Sequence, residues 1–341
     1  MTCGRRVRGV HAVFAASVLS LGLLLSACTG DGESAAFQRE FADESSIESM
    51  ELTSHDNQPF TGGVSGDVIV REAVTDAEFT ELAARVGSYT REHVGRMRGR
   101  VSLVVRGLEM VVTGDEQTDD DHVRLLLALR TDMSVMSAVI AEVSVSVGTT
   151  TAEEAIRLAR NLPARLEDVA TDRPWQLSVR SEGGEVAVTG DATAMAAAVR
   201  LWETLSASVP LTGIRAQEDS GVTATLRHEA DVSRAQAVVA GMALGDDMTP
   251  TFASDLVRLG DSDGEDARLL LSRLDPDMRA RIAYVWISDT RIQVAVRTEA
   301  DFTVLASPVD TALPSHISEA WLVLSDDVET RVAVRPASAD R

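Results

Sequence analysis

Beyond Gly66 the chain alternates short apolar runs with longer amphipathic ones. Asp67-Val68-Ile69-Val70 begins a short strand. Phe79, Leu82, Ala83 and Val86 then recur at i, i+3, i+4 and i+7, which lines one face of a helix. Ahead of them Thr75-Asp76-Ala77-Glu78 has the spacing of a capping box, in which hydroxyl and carboxylate each satisfy an orphan backbone donor. Two β-rich runs, 101–105 and 110–112, flank Arg106-Gly107 and read as a hairpin. The hairpin ends in Thr113-Gly114-Asp115, and a second helix is predicted from about Thr118 to Met136.

The same order returns. Residues 143–147 alternate as a strand should, and Thr151-Ala152-Glu153-Glu154 is another capping box. Ile156, Ala159, Leu162, Leu166 and Val169 stripe a helix that Pro163 is expected to kink. Residues 175–179 and 185–188 form a hairpin turned by Glu182-Gly183-Gly184, and Met195, Ala198, Val199, Trp202 and Leu205 stripe the next helix. Val112-Thr113-Gly114-Asp115 and Val188-Thr189-Gly190-Asp191 are identical tetrapeptides 76 residues apart, and the two capping boxes have the same offset. Matched offsets in independent features predict a duplication.

A third, divergent copy is expected from about Gly221. It has a strand at 223–226, a helix from Val232 to Leu244 capped by Asp231, an insert around 246–280, a hairpin 282–288 with 291–296, and a closing strand pair. The expected fold class is therefore α+β: tandem two-layer α/β sandwich repeats of β-α-β-β-α type. The expected divisions are 1–27 (export signal), 28–63 (flexible acidic linker), 64–140, 141–216 and 217–336 (the three repeats), and 337–341 (tail). The order of strand, Gly-terminated hairpin and Ala-rich helix, seen best from Glu185 to Asp191, resembles the BON modules of bacterial envelope proteins. That resemblance implies association with membranes or envelope partners and no catalysis.

The N-terminus has a different texture. Arg5, Arg6 and Arg8 precede an uncharged run from Val10 to Leu25, too short for the ~20 residues of a spanning helix and suited to an export signal. The run ends in Leu25-Ser26-Ala27-Cys28, which resembles the lipobox of bacterial lipoprotein precursors. The resemblance implies that the Cys28 thiol takes a diacylglyceryl group and that the peptide before it is cleaved. Two acyl chains hold a protein stably on a bilayer where one does not. The expected address is the extracytoplasmic face of a cell membrane. From Thr29 to about Gly63, Gly, Ser, Glu and Asp dominate, the composition of a solvated tether.

Charge narrows the partners. The 341 residues carry 32 basic and 53 acidic side chains, net −21, and every basic one is Arg, which points to a GC-rich Gram-positive source. Phosphate backbones need positive surfaces, so nucleic acid is not expected as a partner. Cys3 leaves with the signal and Cys28 is acylated, which leaves no thiol for catalysis or disulfides.

Candidate chemistry is sparse. Gly63-Val64-Ser65-Gly66-Asp67 misses the last glycine of a nucleophile elbow. Asp115, Asp119 and His122, in the densest acidic stretch, are the weak metal candidates, since oxygen ligands with one imidazole suit a hard cation. The plainer expectation is that Asp119 to Asp121 favour the start of a helix capped by Thr118. Asp261 to Asp266 has the look of a calcium loop with its Gly out of place, and a polar turn before a helix explains it. Trp175, Trp202, Trp286 and Trp321 fall in strand or helix patterns that predict core packing, with sugar stacking as the alternative. No cofactor is implied. The sequence thus favours a non-enzymatic envelope binding or assembly module. A solute-binding lipoprotein of a transporter is the alternative, and an enzyme using Asp115 and Asp191 as acid and base the third.

Overall fold

The computed structural model describes residues 31–54, 63–93, 99–169, 174–217, 221–242 and 249–335. The export signal, Cys28, His55-Asp56 and the tail 337–341 lie outside the described residues. The fold is mixed α/β, with strands that have both parallel and antiparallel neighbours. The chain divides into two compact units, residues 1–147 with 165–173 and residues 148–164 with 174–341.

In the first unit β1 (Ile47–Ser54), β2 (Val64–Val70), β3 (Val101–Val105), β4 (Leu108–Val112) and β5 (Val135–Ala141) pair in chain order. Pairing alternates: β1–β2 and β3–β4 are antiparallel hairpins, while β2–β3 and β4–β5 are parallel. Each parallel pair brackets a helix, Asp76–Glu92 or Glu116–Arg130, because only a crossover can return the chain to run the same way. Every second residue of a strand is buried: Val101, Leu103 and Val105, then Leu108, Met110 and Val112. Phe79, Leu82 and Val86 of one helix and Leu125, Leu126 and Leu129 of the other are buried with them.

The Thr75 box forms as the sequence suggests, with Thr75 N–H donating to Glu78 at 2.8 Å and Glu78 N–H to Thr75 Oγ1 at 3.3 Å. The second helix differs from expectation at both ends. It is capped by Asp115, which accepts from Thr118 N–H at 2.9 Å, so Thr118 sits one turn inside. It stops at Arg130 because Asp132 turns the chain, accepting from Ser134 N–H at 3.2 Å and from its hydroxyl at 2.6 Å. Residues to Met136 therefore do not extend the helix, and β5 begins at Val135.

Part of the segment expected to be a linker is folded. Asp31–Glu40 is a helix and β1 adds to the sheet edge. Phe37 and Phe41 are 0% and 2% exposed. Their rings pack against each other in a tilted pair at 4.7 Å and meet Tyr89 edge-on at 5.2 and 5.7 Å. Two aromatic side chains against a third supply enough burial to order a polar stretch.

The second unit repeats the alternation. After β6 (Ser144–Thr149), the strands β7 (Gln176–Ser181), β8 (Val186–Gly190), β9 (Leu211–Gln217), β10 (Gly221–Leu226) and β11 (Pro250–Ala253) pair in chain order, parallel at β8–β9 and β10–β11. Helix Ala192–Ser206 connects β8 to β9, and its cap Asp191 accepts from Ala194 N–H at 2.8 Å. Helix Ala152–Val169 continues through Pro163.

The supposed insert supplies structure: β11, β12 (Val257–Leu259) and helix Glu265–Arg273. A second sheet then runs β12, β13 (Ile282–Ser288), β14 (Arg291–Val296), β15 (Glu319–Leu324) and β16 (Asp327–Arg335). Its core holds Val285, Ile287, Ile292, Val294 and Leu322 under Leu270, Leu305 and Val309. Leu305 and Val309 belong to helix Ala300–Ala312, which has a weak apolar stripe and contains Pro308, so the sequence pattern does not reveal it.

Candidate cleft in the second unit

Alternation along a strand fixes what is left for chemistry. Where Val186, Val188, Ile214, Ala216, Val222 and Ala224 face the core, their neighbours Ala187, Thr189, Arg215, Gln217 and Thr223 face away from it. Register sets them in rows. Ala187 lies opposite Arg215, Arg215 opposite Thr223, and Thr223 opposite Thr251. Thr189 lies opposite Gln217, and Gln217 opposite Gly221. These side chains floor a cleft of about 590 Å³ whose far wall is Gly260-Asp261-Ser262-Asp263. That volume suits a small polar molecule.

The hydroxyls of the floor are mutually bonded. Thr223 and Thr251 share a hydrogen bond of 2.9 Å, and Thr189 Oγ1 donates to Ser178 Oγ at 3.2 Å. Arg215 is exposed and makes no salt bridge among the described residues, so its five N–H donors are available to a ligand. The acidic wall is held by its own turn. Asp263 Oδ1 accepts from Glu265 N–H at 2.9 Å, and Asp261 Oδ2 accepts from Ser288 Oγ at 3.3 Å. Gly264, at φ 85°, makes the left-handed step into the helix. Gly260 has no room for a side chain, since a Cβ there would stand 2.7 Å from Ser288 Cβ and 3.1 Å from Trp286 Cζ2.

Arg268 ties this wall to the floor. Its Nε donates to Glu229 at 2.7 Å, Nη1 to the Asp263 carbonyl at 3.1 Å and Nη2 to the Phe252 carbonyl. The cleft can therefore offer a guanidinium, an amide, hydroxyls and carboxylates from a braced frame. Among the described residues its lining contains no His or Cys. The turn from Asp261 to Asp266 spreads its carboxylates, with Asp266 taking the His316 ring at 2.7 Å.

The metal candidates singled out from sequence lie in the first unit. Asp119, 5% exposed, accepts from Thr113 N–H and Oγ1, both at 2.8 Å, and from Gly114 N–H at 3.0 Å. Asp115 caps its helix, and His122, fully buried, bonds through Nδ1 to the Val111 carbonyl at 2.9 Å. Each of the three is thus engaged with backbone. Among the described residues no group of three or more His, Cys, Asp or Glu could hold a metal ion.

Sequence reading missed an acidic cluster on the face of β1–β4 away from the core. There Glu109 accepts from Arg100 at 2.9 Å and Ser102 at 2.8 Å, and Asp67 lies opposite both Glu51 and Ser102. Burial, followed by the charges of Glu109 and Glu51, pushes the Asp67 carboxyl up from its usual range, with Arg100 opposing. Trp286 and Trp321 also depart from expectation: they are half-buried on the side of their strands away from the core. The alternation Val285-Trp286-Ile287 carries that information, since neighbours of core residues must point the other way. No known protein family, curated protein or solved structure matches this chain.

Proposed function

We propose that the protein is an extracytoplasmic lipoprotein, tethered to a cell membrane through acylated Cys28, whose body is a non-enzymatic binding or assembly module. The cleft floored by Arg215 and Thr223 is the observation that carries the binding role: a braced, polar, open concavity. The export signal and lipobox carry the address. The partner is an envelope protein or a cell-wall component within reach of the tether, and nucleic acid is disfavoured by the net charge of −21.

The body is read as tandem β-α-β-β-α units descended from a duplication. Several paired features support this. Thr75 and Thr151 each bond Glu three residues on, Asp115 and Asp191 each cap the helix after a hairpin, and strand pairing alternates in the same way through both stretches.

The address is tested by fractionating cells that express the protein or its Cys28→Ser variant. The wild type should stay with membranes and carry an acyl adduct by mass spectrometry, and the variant should be released. Equal retention of both, with no adduct, would remove the tether from this account. A solute-binding role is the second reading, favoured by the cleft's volume and its opposed Arg215 and Asp261. A solute screen by thermal shift that finds a ligand lost in Arg215→Ala selects it over assembly.

A further inference from the structure

The second sheet presents two register rows on its side away from the core. One runs Arg258, Trp286, Gln293, Trp321, Ala333, and the next Tyr284, Ala295, Val323, Arg331. Ala295 and Val323 are buried although they face away from the core, while the larger Tyr284, Trp286 and Trp321 around them are half-exposed. Neither row contains a carboxylate. Arg258 lies 3.5 Å from the Tyr284 ring centre and Arg331 lies 5.8 Å from that of Trp321. Both are exposed, and neither makes a salt bridge among the described residues. In the row beyond, Glu319 is neutralised by Arg291 at 3.0 Å, and Asp261 bonds Ser288 at the strand end. A chain of net charge −21 thus keeps two uncommitted guanidiniums on one aromatic face.

We propose that this face binds an anionic polysaccharide, a glycan strand bearing uronate carboxylates. The inference rests on the binding-module reading and adds the chemistry of one ligand. Trp286 and Trp321 stand two strands apart, about 10 Å by ordinary strand spacing. That is about the length of two pyranose rings, so alternate sugars can lie on the two indoles. Gln293 between them offers an amide to the ring hydroxyls. Arg258 and Arg331, steadied against rings, present planar forks that match carboxylates. Surplus positive charge complements a polyanion, and the indole faces select one built of rings.

The test uses full-length protein in detergent. Hyaluronan and polygalacturonate fragments serve as uronate probes, dextran as the neutral glycan and single-stranded oligothymidylate as a polyanion of another class, with binding followed by calorimetry. At least one uronate probe should bind while dextran does not. Arg258→Gln and Trp321→Ala, checked for an unchanged melting midpoint, should each weaken it by roughly tenfold, the loss typical of an anchor residue. The proposal is overturned if neither uronate probe binds, if dextran binds equally, if oligothymidylate binds more tightly, or if folded variants bind as wild type does. Retention on membranes through Cys28, or a cleft ligand lost in Arg215→Ala, would then survive, so that only this face would lose its assignment.

Discussion

Replacing Asp119 with Ala removes the acceptor from three donors at once, Thr113 N–H, Thr113 Oγ1 and Gly114 N–H. Gly114 is buried with φ 78°, so its N–H cannot swing out to water, whereas half-buried Thr113 recovers part of its solvation. An unmade hydrogen bond at a buried donor costs about 1–3 kcal/mol, so the variant should lose about 2–4 kcal/mol, most of it at Gly114. Gly87 on the facing helix, where a Cβ would stand 2.8 Å from Asp119 Oδ2, has no side chain that could replace the lost acceptor. Urea unfolding followed by circular dichroism reads the effect. All four Trp lie in the second unit, so their emission serves as the reference for that unit. Exposed Asp120→Ala is the control and should stay within about 0.5 kcal/mol of wild type. An unchanged midpoint in Asp119→Ala would refute the structural role. So would a divalent cation that raised the wild-type midpoint and left the variant unmoved, since the carboxylate would then be a ligand.

Three further outcomes follow from the same geometry. Phe37→Ala should cost about 3–5 kcal/mol by emptying an aromatic cluster, and limited proteolysis should then cut within residues 31–54, which stay intact in wild type. Asp115→Ala and Asp191→Ala should each cost ~1 kcal/mol as lost helix caps, with matching shifts in urea midpoint; a large effect in one alone would argue against equivalent positions. For Asp67 the sign is set by its raised folded-state pKa. Above that value the ionised carboxylate opposes folding, and below the unfolded value of 3.8 both states are protonated and the difference vanishes. Asp67→Asn should therefore be more stable than wild type at neutral pH. Its advantage should shrink as pH falls through the raised pKa toward 3.8, as melting midpoints across that range will report.

Local features were legible in the sequence because they need only neighbours. The Thr75 and Thr151 boxes bond within four residues, and the hairpins at Arg106-Gly107 and Gly183-Gly184 turn where Gly permits. Order in residues 31–54 was not legible, since Phe37 and Phe41 find Tyr89 some fifty residues downstream. The cleft was hidden for a related reason. Thr189, Arg215, Thr223 and Thr251 read singly as solvent positions of four strands, and only the register makes them one surface with the loop at Asp261. His122 and Asp119 show the opposite failure: chemically suggestive residues close in sequence, turned by the helix toward separate backbone partners.

One constraint links both proposed surfaces. A strand packed on one side spends alternate residues on the core, and those must be apolar whatever the protein does. The other residues of the same strand carry no such duty. From β7 to β11 they include the small, hydroxylated Ser178, Thr189, Thr223 and Thr251 around Arg215 and Gln217, which leaves space above the sheet and gives a cleft. From β13 to β16 they include Tyr284, Trp286, Trp321 and Arg331, which fill that space and give a flat, cationic platform. The core beneath is equally aliphatic in each case, Val188, Ile214 and Val222 against Val285, Val294 and Leu322. Recognition can therefore diverge between sheets of one pairing pattern with no change in what holds them together. Substitutions at Thr223 or Trp321 should accordingly separate binding from stability, which substitutions at Val222 or Leu322 cannot do.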